Sequence, residues 1–422
     1  MANLLLKTGK PGWNSVLRAS EYVMALVAGD SGLTGKDSLS LFTTEEERID
    51  KLLRAFEKPG IKSQFAEFQS KTPDLEILAT ICYASIPCWK KAGLRWIRVP
   101  AMETVTLTDD DVEHVNLRVL GVLARDNQTN TYYIVLRGTD PDLRSGELLI
   151  STGPYSKGNV LNLNNEDQMP LNKMFNLSGV DGDFGEVRAS LANFTNAQIY
   201  YKDANGKTEL LLDSLNTQFE KVVNLIPENS NVKVYAHSMG TSVGGSALMA
   251  LGTCNKVFNS KEALFLGPYA AFNQKAGQII AETFGGVINS VMHEHDFICR
   301  MNTFSGALYR SMLTDGTLGK YKSLAFIEEY MKRSAERYPY QVYGDVYAFR
   351  AMNWFTSPFF NHNTSSYRLA ALKAQFESSL AEVDGTNLNE VIYKYARGPD
   401  VDLDDQALLA ILLYEDHHSL IY

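Results

Sequence analysis

The chain has 422 residues, 45% of them hydrophobic and 21% charged, with a formal net charge of -9 and a pI near 5.4. That length is enough to bury a large core, in one big domain with an appendage or in two smaller domains. The acidic balance, with no Lys/Arg-rich block, argues against nucleic acid as a partner and against purely electrostatic attachment to anionic membranes.

At the start, the only apolar run is Leu4-Leu5-Leu6, too short for the apolar core of a secretory signal. No stretch reaches the roughly 18 apolar residues that a membrane span needs. The expected location is the cytoplasm, or outside the cell by a route that needs no cleavable signal. Cys82, Cys88, Cys254 and Cys299 show no paired CxxC spacing, so reduced thiols rather than a zinc site are expected. The sequons at Asn127, Asn176, Asn193 and Asn363 then read as incidental.

Residues 1–74 read as a helical N-terminal extension. Thr44-Glu45-Glu46-Glu47 is a capping box, and Ile49, Leu52, Leu53 and Phe56 follow at helical spacing until Pro59-Gly60. Leu75 to Trp89 reads as an apolar, buried helix ended by Pro87. Asn116 to Ala124 and Thr131 to Leu136 read as strands of a hairpin joined by a polar turn. The stretch from Asp140 to Gly185 is loop-rich. Beyond it, Leu210 to Ile226 has helical periodicity, Val232 to Ala236 is a short strand, and Ser242 to Ala250 is helical. Ala263 to Leu266 and Val287 to Met292 are further buried strands. Helices are expected near Ser323 to Arg337 and Tyr367 to Val383, with a strand over Tyr343 to Phe349 between them. This alternation predicts an α/β fold, a mostly parallel sheet covered by helices on both faces.

Gly240-Thr241-Ser242-Val243-Gly244 matches Gly-x-Ser-x-Gly literally. A nucleophilic serine, however, needs a tight turn where a strand runs directly into a helix, so that Oγ projects above the sheet edge. Val232 to Ala236 ends two residues before Ser238, whereas Ser242 falls a turn inside the following helix. Ala236-His237-Ser238-Met239-Gly240 is the same turn with alanine in place of the first glycine, and Ser238 is the candidate nucleophile.

A serine nucleophile requires a base, and the base an orienting carboxylate, in the chain order Ser, Asp or Glu, His. Asp296 follows the strand Val287 to Met292 and suits the carboxylate. Of the seven histidines, order removes His114, His237 lies in the turn itself, and His293 and His295 precede Asp296. That leaves His362 and the pair His417-His418. One oxyanion donor is expected from the backbone N–H of Met239. The other is expected at Thr139, at the end of Tyr132 to Asp140, with its hydroxyl adding a further donor.

Four segments, taken together over roughly residues 75 to 422, resemble the class-3 lipase family, especially its diacylglycerol-lipase-like branch. Ile134-Val135-Leu136-Arg137-Gly138-Thr139 is similar to the family's strand ending in Arg-Gly-Thr/Ser. Val234-Tyr235-Ala236-His237-Ser238-Met239-Gly240 is similar to its His-Ser-x-Gly turn. Asn289-Ser290-Val291 through Asp296-Phe297-Ile298-Cys299-Arg300 is similar to the stretch that carries its aspartate, and Asp416-His417 to its late Asp-His pair. The resemblance implies an α/β-hydrolase domain over residues 75–422 and a Ser238–Asp296–His417 triad, with His418 as the alternate base. It also implies an oxyanion hole at Thr139 and Met239, and no metal or organic cofactor. The implied substrates are carboxylic esters of glycerolipids, as for a triacylglycerol or diacylglycerol lipase or an A-type phospholipase, with peripheral contact to a membrane or micelle. The sequence departs from the pattern after Asp140-Pro141-Asp142-Leu143-Arg144, where a long insertion follows, and at Cys299, where the family has proline. The 140s to 180s and the aromatic cluster Trp354 to Phe360 are the candidate lids. Rival readings are a silent lipase-like scaffold for lipid sensing or protein interaction, and an acyltransferase with the same triad.

Overall fold

The computed structural model describes residues 12–62, 75–88, 97–139, 168–175, 183–293 and 340–349, with 362, 364, 365, 367, 368, 371 and 380–383. In chain order its main elements are α1 (Trp13–Gly32), β1 (Leu39–Ser40), α2 (Glu45–Phe56), β2 (Leu75–Cys88), β3 (Ile97–Pro100), β4 (Asn116–Asp126) and β5 (Thr131–Leu136). There follow α3 (Ala189–Asn196), α4 (Leu215–Leu225), β6 (Asn231–His237), α5 (Met239–Thr253) and β7 (Ser260–Leu266). The set closes with α6 (Gln274–Phe284), β8 (Val287–His293), β9 (Asp345–Phe349) and β10 (Leu380–Val383).

These strands form one sheet in the order β10-β9-β8-β7-β6-β5-β4-β2-β3, with β1 paired to β4. The neighbours β5, β6, β7, β8 and β9 run parallel, and the flanks are antiparallel. Pleat alternation divides the apolar residues of each strand between two cores. Ile134, Leu136, Val234, Ala236 and Phe265 point to one face, beneath Phe219 of α4, Val243 and Leu248 of α5 and Ile280 of α6. Val135, Tyr235, Leu264, Leu266 and Val291 point to the other, beneath Val16, Tyr22, Val23 and Leu26 of α1. A sheet buried on both faces explains why its strands read as nearly continuous apolar runs. The architecture is a mostly parallel central sheet between helical layers, as the sequence predicts.

Three expectations are corrected. Leu75 to Trp89 is not a helix; Leu75–Cys88 is the strand β2, paired antiparallel with β4 from Leu75↔Asp126 to Ser85↔Asn116. Register shifts between Ile77 and Ala79 and between Ile81 and Cys82 break its period-2 pattern, so periodicity could not separate it from a buried helix. At the second irregularity Gln218 of α4 satisfies the strand backbone, accepting from Cys82 N (2.9 Å) and donating to Cys82 O (2.8 Å). The helix expected over Leu210 to Ile226 begins only at Leu215, because Thr208–Leu212 pairs with Ile199–Lys202. At the other end, Leu380–Val383 is the edge strand β10 and not the close of a helix, whereas Tyr367, Arg368 and Ala371 are helical. The segment Ser323 to Arg337 lies outside the described residues.

The Thr44 capping box forms as read: Glu47 N donates to Thr44 Oγ1 at 3.3 Å, and Thr44 N to Glu47 Oε2 at 3.0 Å. Cys82 is a free, buried thiol whose pKa burial pushes up, and Cys254 is free and half-buried. Among the described residues no helix is long and apolar enough to cross a membrane.

Candidate active site

The register of the parallel strands builds the site. Ala236 of β6 lies opposite Leu136 of β5, and His237 lies opposite Leu266 of β7. One step further, Ser238 leaves β6 where Arg137-Gly138-Thr139 leaves β5, at the C-terminal edge of the sheet. The strand-to-helix turn has no intervening loop: β6 ends at His237 and α5 begins at Met239.

Ser238 has φ 53° and ψ -128°. Such a positive φ is strained for a residue with a Cβ and persists only where the surroundings over-determine it. They do so here. Ser238 N donates to Leu266 O (3.0 Å), and Ser238 O accepts from Thr241 N (2.9 Å) and Thr241 Oγ1 (2.6 Å). The same Thr241 Oγ1 accepts from Tyr269 N (3.0 Å), fastening the turn to the end of β7. Ser242 lies inside α5, buried, with Oγ donating to Tyr269 O at 2.7 Å, so its hydroxyl is committed to structure as the sequence implies.

The glycines around the turn are required by proximity. A Cβ at Gly240 would stand 2.4 Å from Arg137 O, and one at Gly138 would stand 2.7 Å from His237 Nδ1 and 2.9 Å from Ser238 Cβ. Gly240→Ala therefore has to push the start of α5 off the end of β5. Overpacking of this kind costs about 1–3 kcal/mol, and here it also displaces the serine. A lowered melting temperature together with at least a tenfold loss of turnover (about the cost of a 1 Å misplacement or less) is expected; a variant as stable and active as the parent would show that the close approach does not constrain the site.

His362 Nε2 lies 2.7 Å from Ser238 Oγ. Chain order admits this histidine as a base, and the structure brings it to the serine. A second contact ties the two segments: His237 Nε2 is 2.6 Å from the carbonyl oxygen of His362. Because that oxygen only accepts, His237 carries a proton on Nε2. The two imidazoles lie with centroids 4.9 Å apart, and His237 meets Tyr367 edge-on at 6.0 Å. Tyr367 and Ala371 are buried in the core under α1, and Arg368 pairs with Glu21 of α1 at 3.5 Å, so the segment bearing His362 is docked on that helix.

Asp296, His417 and His418 lie outside the described residues, as do Trp354 to Phe360 and most of the 140s to 180s. Asp296 follows by three residues the end of β8, whose C-terminal end shares the sheet edge with Ser238. Thr139 follows Gly138 at that edge and is half-buried. Met239 is the first residue of α5, so its N–H has no acceptor within its own helix and stands at the positive end of the helix dipole. The contribution of His237 was missed from the sequence, where it served only as a turn residue; no signal in the sequence pairs it with position 362.

No family model matches the chain, and no curated protein matches it. Solved structures similar to it include a Rhizomucor miehei lipase in a propeptide complex, at 11% identity, covering 80% of this chain and 67% of that one, with a TM-score of 0.38. The Lip2 lipase of Yarrowia lipolytica is 11% identical, with 67% and 72% covered and a TM-score of 0.34. M37 lipase is 10% identical, with 94% and 98% covered and a TM-score of 0.38.

Proposed function

We propose that the chain is a lipase-type serine hydrolase that cleaves carboxylic esters through an acyl-enzyme. The observation that carries this reading is the serine at a strained strand-to-helix turn with an imidazole nitrogen 2.7 Å from its Oγ. Ser238 attacks the ester carbonyl while His362 Nε2 takes its proton. The histidine then returns that proton to the leaving alcohol, and water repeats the sequence to release the acid. Asp296 is the proposed partner of the imidazole, and the order Ser238, Asp296, His362 is the one this fold uses. The N–H groups of Met239 and Thr139, with the Thr139 hydroxyl, are the proposed oxyanion donors. His362 is the base proposed here, since among the described residues it is the histidine within hydrogen-bond distance of Ser238 Oγ; His417 and His418 stay the alternatives from the motif resemblance.

The resemblance of Arg137-Gly138-Thr139, His237-Ser238-Met239-Gly240 and Asp296 to class-3 lipase motifs supports glycerolipid esters as substrates. Hydrolysis of a chain-length series of p-nitrophenyl esters, with and without detergent micelles, tests the class. Turnover that rises with acyl length and with micelles is the expected result. A wild type inert on every ester removes the hydrolase reading and leaves the scaffold reading in its place.

A further inference from the structure

Asp30 lies in the last turns of α1, is 4% exposed, and sits behind the end of β5. Its Oδ1 accepts the backbone N–H of Val119 (2.9 Å). Its Oδ2 accepts from Arg118 Nε (3.1 Å) and Nη2 (2.6 Å) and lies 3.4 Å from Arg137 Nη2. Arg137 is 1% exposed. Its Nε donates to Val119 O (2.7 Å), its Nη1 to Gly138 O (2.9 Å) and its Nη2 to Tyr83 OH (3.3 Å). The carboxylate, the backbone N–H and C=O of Val119 and the guanidinium thus close a ring. A buried guanidinium is tolerated only with such paired charge and satisfied donors.

What the ring holds is the Gly138 carbonyl. The Gly138–Thr139 peptide is planar and trans, so fixing its C=O toward Arg137 turns the Thr139 N–H to the opposite side. Gly138 meanwhile lies against the nucleophile, with no room for a Cβ beside Ser238. The orientation of the peptide that carries a proposed oxyanion donor is therefore set by Arg137, and the fork of Arg137 is set by a carboxylate of the N-terminal helix.

We propose that Asp30 is a positioning residue for the oxyanion hole, acting through Arg137 on the Gly138–Thr139 peptide. The inference rests on the hydrolase reading above and gives α1 a role in the chemistry beyond covering the sheet. An ion pair that only stabilised the fold would change the melting temperature and leave turnover per folded molecule intact.

The test is a kinetic cycle on an ester substrate with wild type, Asp30→Asn, Thr139→Ala and the double variant, each shown to be folded by its melting curve. Asn keeps the size and the acceptor for Val119 while removing the charge. Asp30→Asn is expected to lower kcat by about 10- to 100-fold with little change in KM, the signature of an interaction made in the transition state. Combined with Thr139→Ala it should lose less than the product of the two single losses, because the peptide that Asp30 orients carries both the N–H and the residue whose hydroxyl Thr139→Ala removes. Asp37→Asn is the control: Asp37 is another carboxylate of the N-terminal region, paired with Lys58 at 3.0 Å and Arg54 at 3.7 Å rather than with Arg137, and its loss should leave kcat unchanged. If Asp30→Asn does not fold, Arg137→Lys replaces it, keeping the charge but losing the fork on Gly138 O, with the same kcat loss expected. A folded Asp30→Asn with wild-type kcat, or a double variant whose loss is the full product of the single losses, overturns the inference alone. A wild type without esterase activity overturns it together with the hydrolase reading.

Discussion

Ser238→Ala is expected to lower ester turnover by about six orders of magnitude, the scale seen when the nucleophile of a serine hydrolase is removed. Ser238 sits at the junction of β6 and α5 with φ 53°, and its Oγ is 2.7 Å from His362 Nε2. The hydroxyls next along α5 are committed elsewhere: Thr241 Oγ1 donates to Ser238 O, and Ser242 Oγ donates to Tyr269 O. Alanine keeps the Cβ and with it the strained backbone, and the hydroxyl it removes bonds, among the described residues, to His362 Nε2, so the fold is expected to stay about as stable as before. Ser242→Ala gives the opposite pattern. It strips a donor from a buried carbonyl, which costs about 1–3 kcal/mol, and keeps turnover near wild type. Initial rates and melting curves of the two variants, side by side, separate the literal motif from the true turn. An inactive Ser242→Ala with an active Ser238→Ala would reverse the assignment.

His362→Ala is expected to have nearly as large an effect, because nucleophile and base act as a unit whose members are non-additive. The double variant Ser238→Ala/His362→Ala should then be no worse than Ser238→Ala alone. His417→Ala provides the contrast, and His418→Ala beside it. If His362 is the base, both variants retain turnover within about threefold, the range of ordinary second-order perturbation. If His417→Ala abolishes turnover and His362→Ala leaves it, the late Asp-His pair is the base after all, and His362 is a residue near the serine without a role in proton transfer. Steady-state rates of the three variants, measured side by side, decide it.

Much of this was legible in the sequence, for definable reasons. The turn was readable because its steric demands are local. A strand that ends at His237, a serine next, and a glycine two residues on leave little freedom, and the 2.4 Å approach of a would-be Cβ at Gly240 to Arg137 O shows why that glycine stands there. The parallel strands were readable because burial on both faces leaves β-rich apolar runs such as Val234-Tyr235-Ala236 and Ala263-Leu264-Phe265-Leu266. β2 was not readable, because two register shifts scramble its alternation and its unbroken apolarity suits a buried helix equally well. The base was narrowed to His362 or the His417-His418 pair by chain order alone. Proximity in space is not encoded by any spacing: His362 reaches Ser238 because Tyr367 and Ala371 dock its segment on α1. For the same reason nothing in the sequence of residues 1–74 signals that Asp30 of α1 touches Arg137 at 3.4 Å across a long stretch of chain.

The central claim is that Ser238, activated by His362, is the reacting group. It is tested most directly by treating the full chain with an alkyl fluorophosphonate and mapping the adduct by peptide mass spectrometry. The account requires a single adduct on Ser238, absent from Ser238→Ala and slowed by at least a hundredfold in His362→Ala, about the lower bound for removing a general base. An adduct on Ser242 or another serine, or ester hydrolysis that continues with Ser238 unmodified, would contradict it.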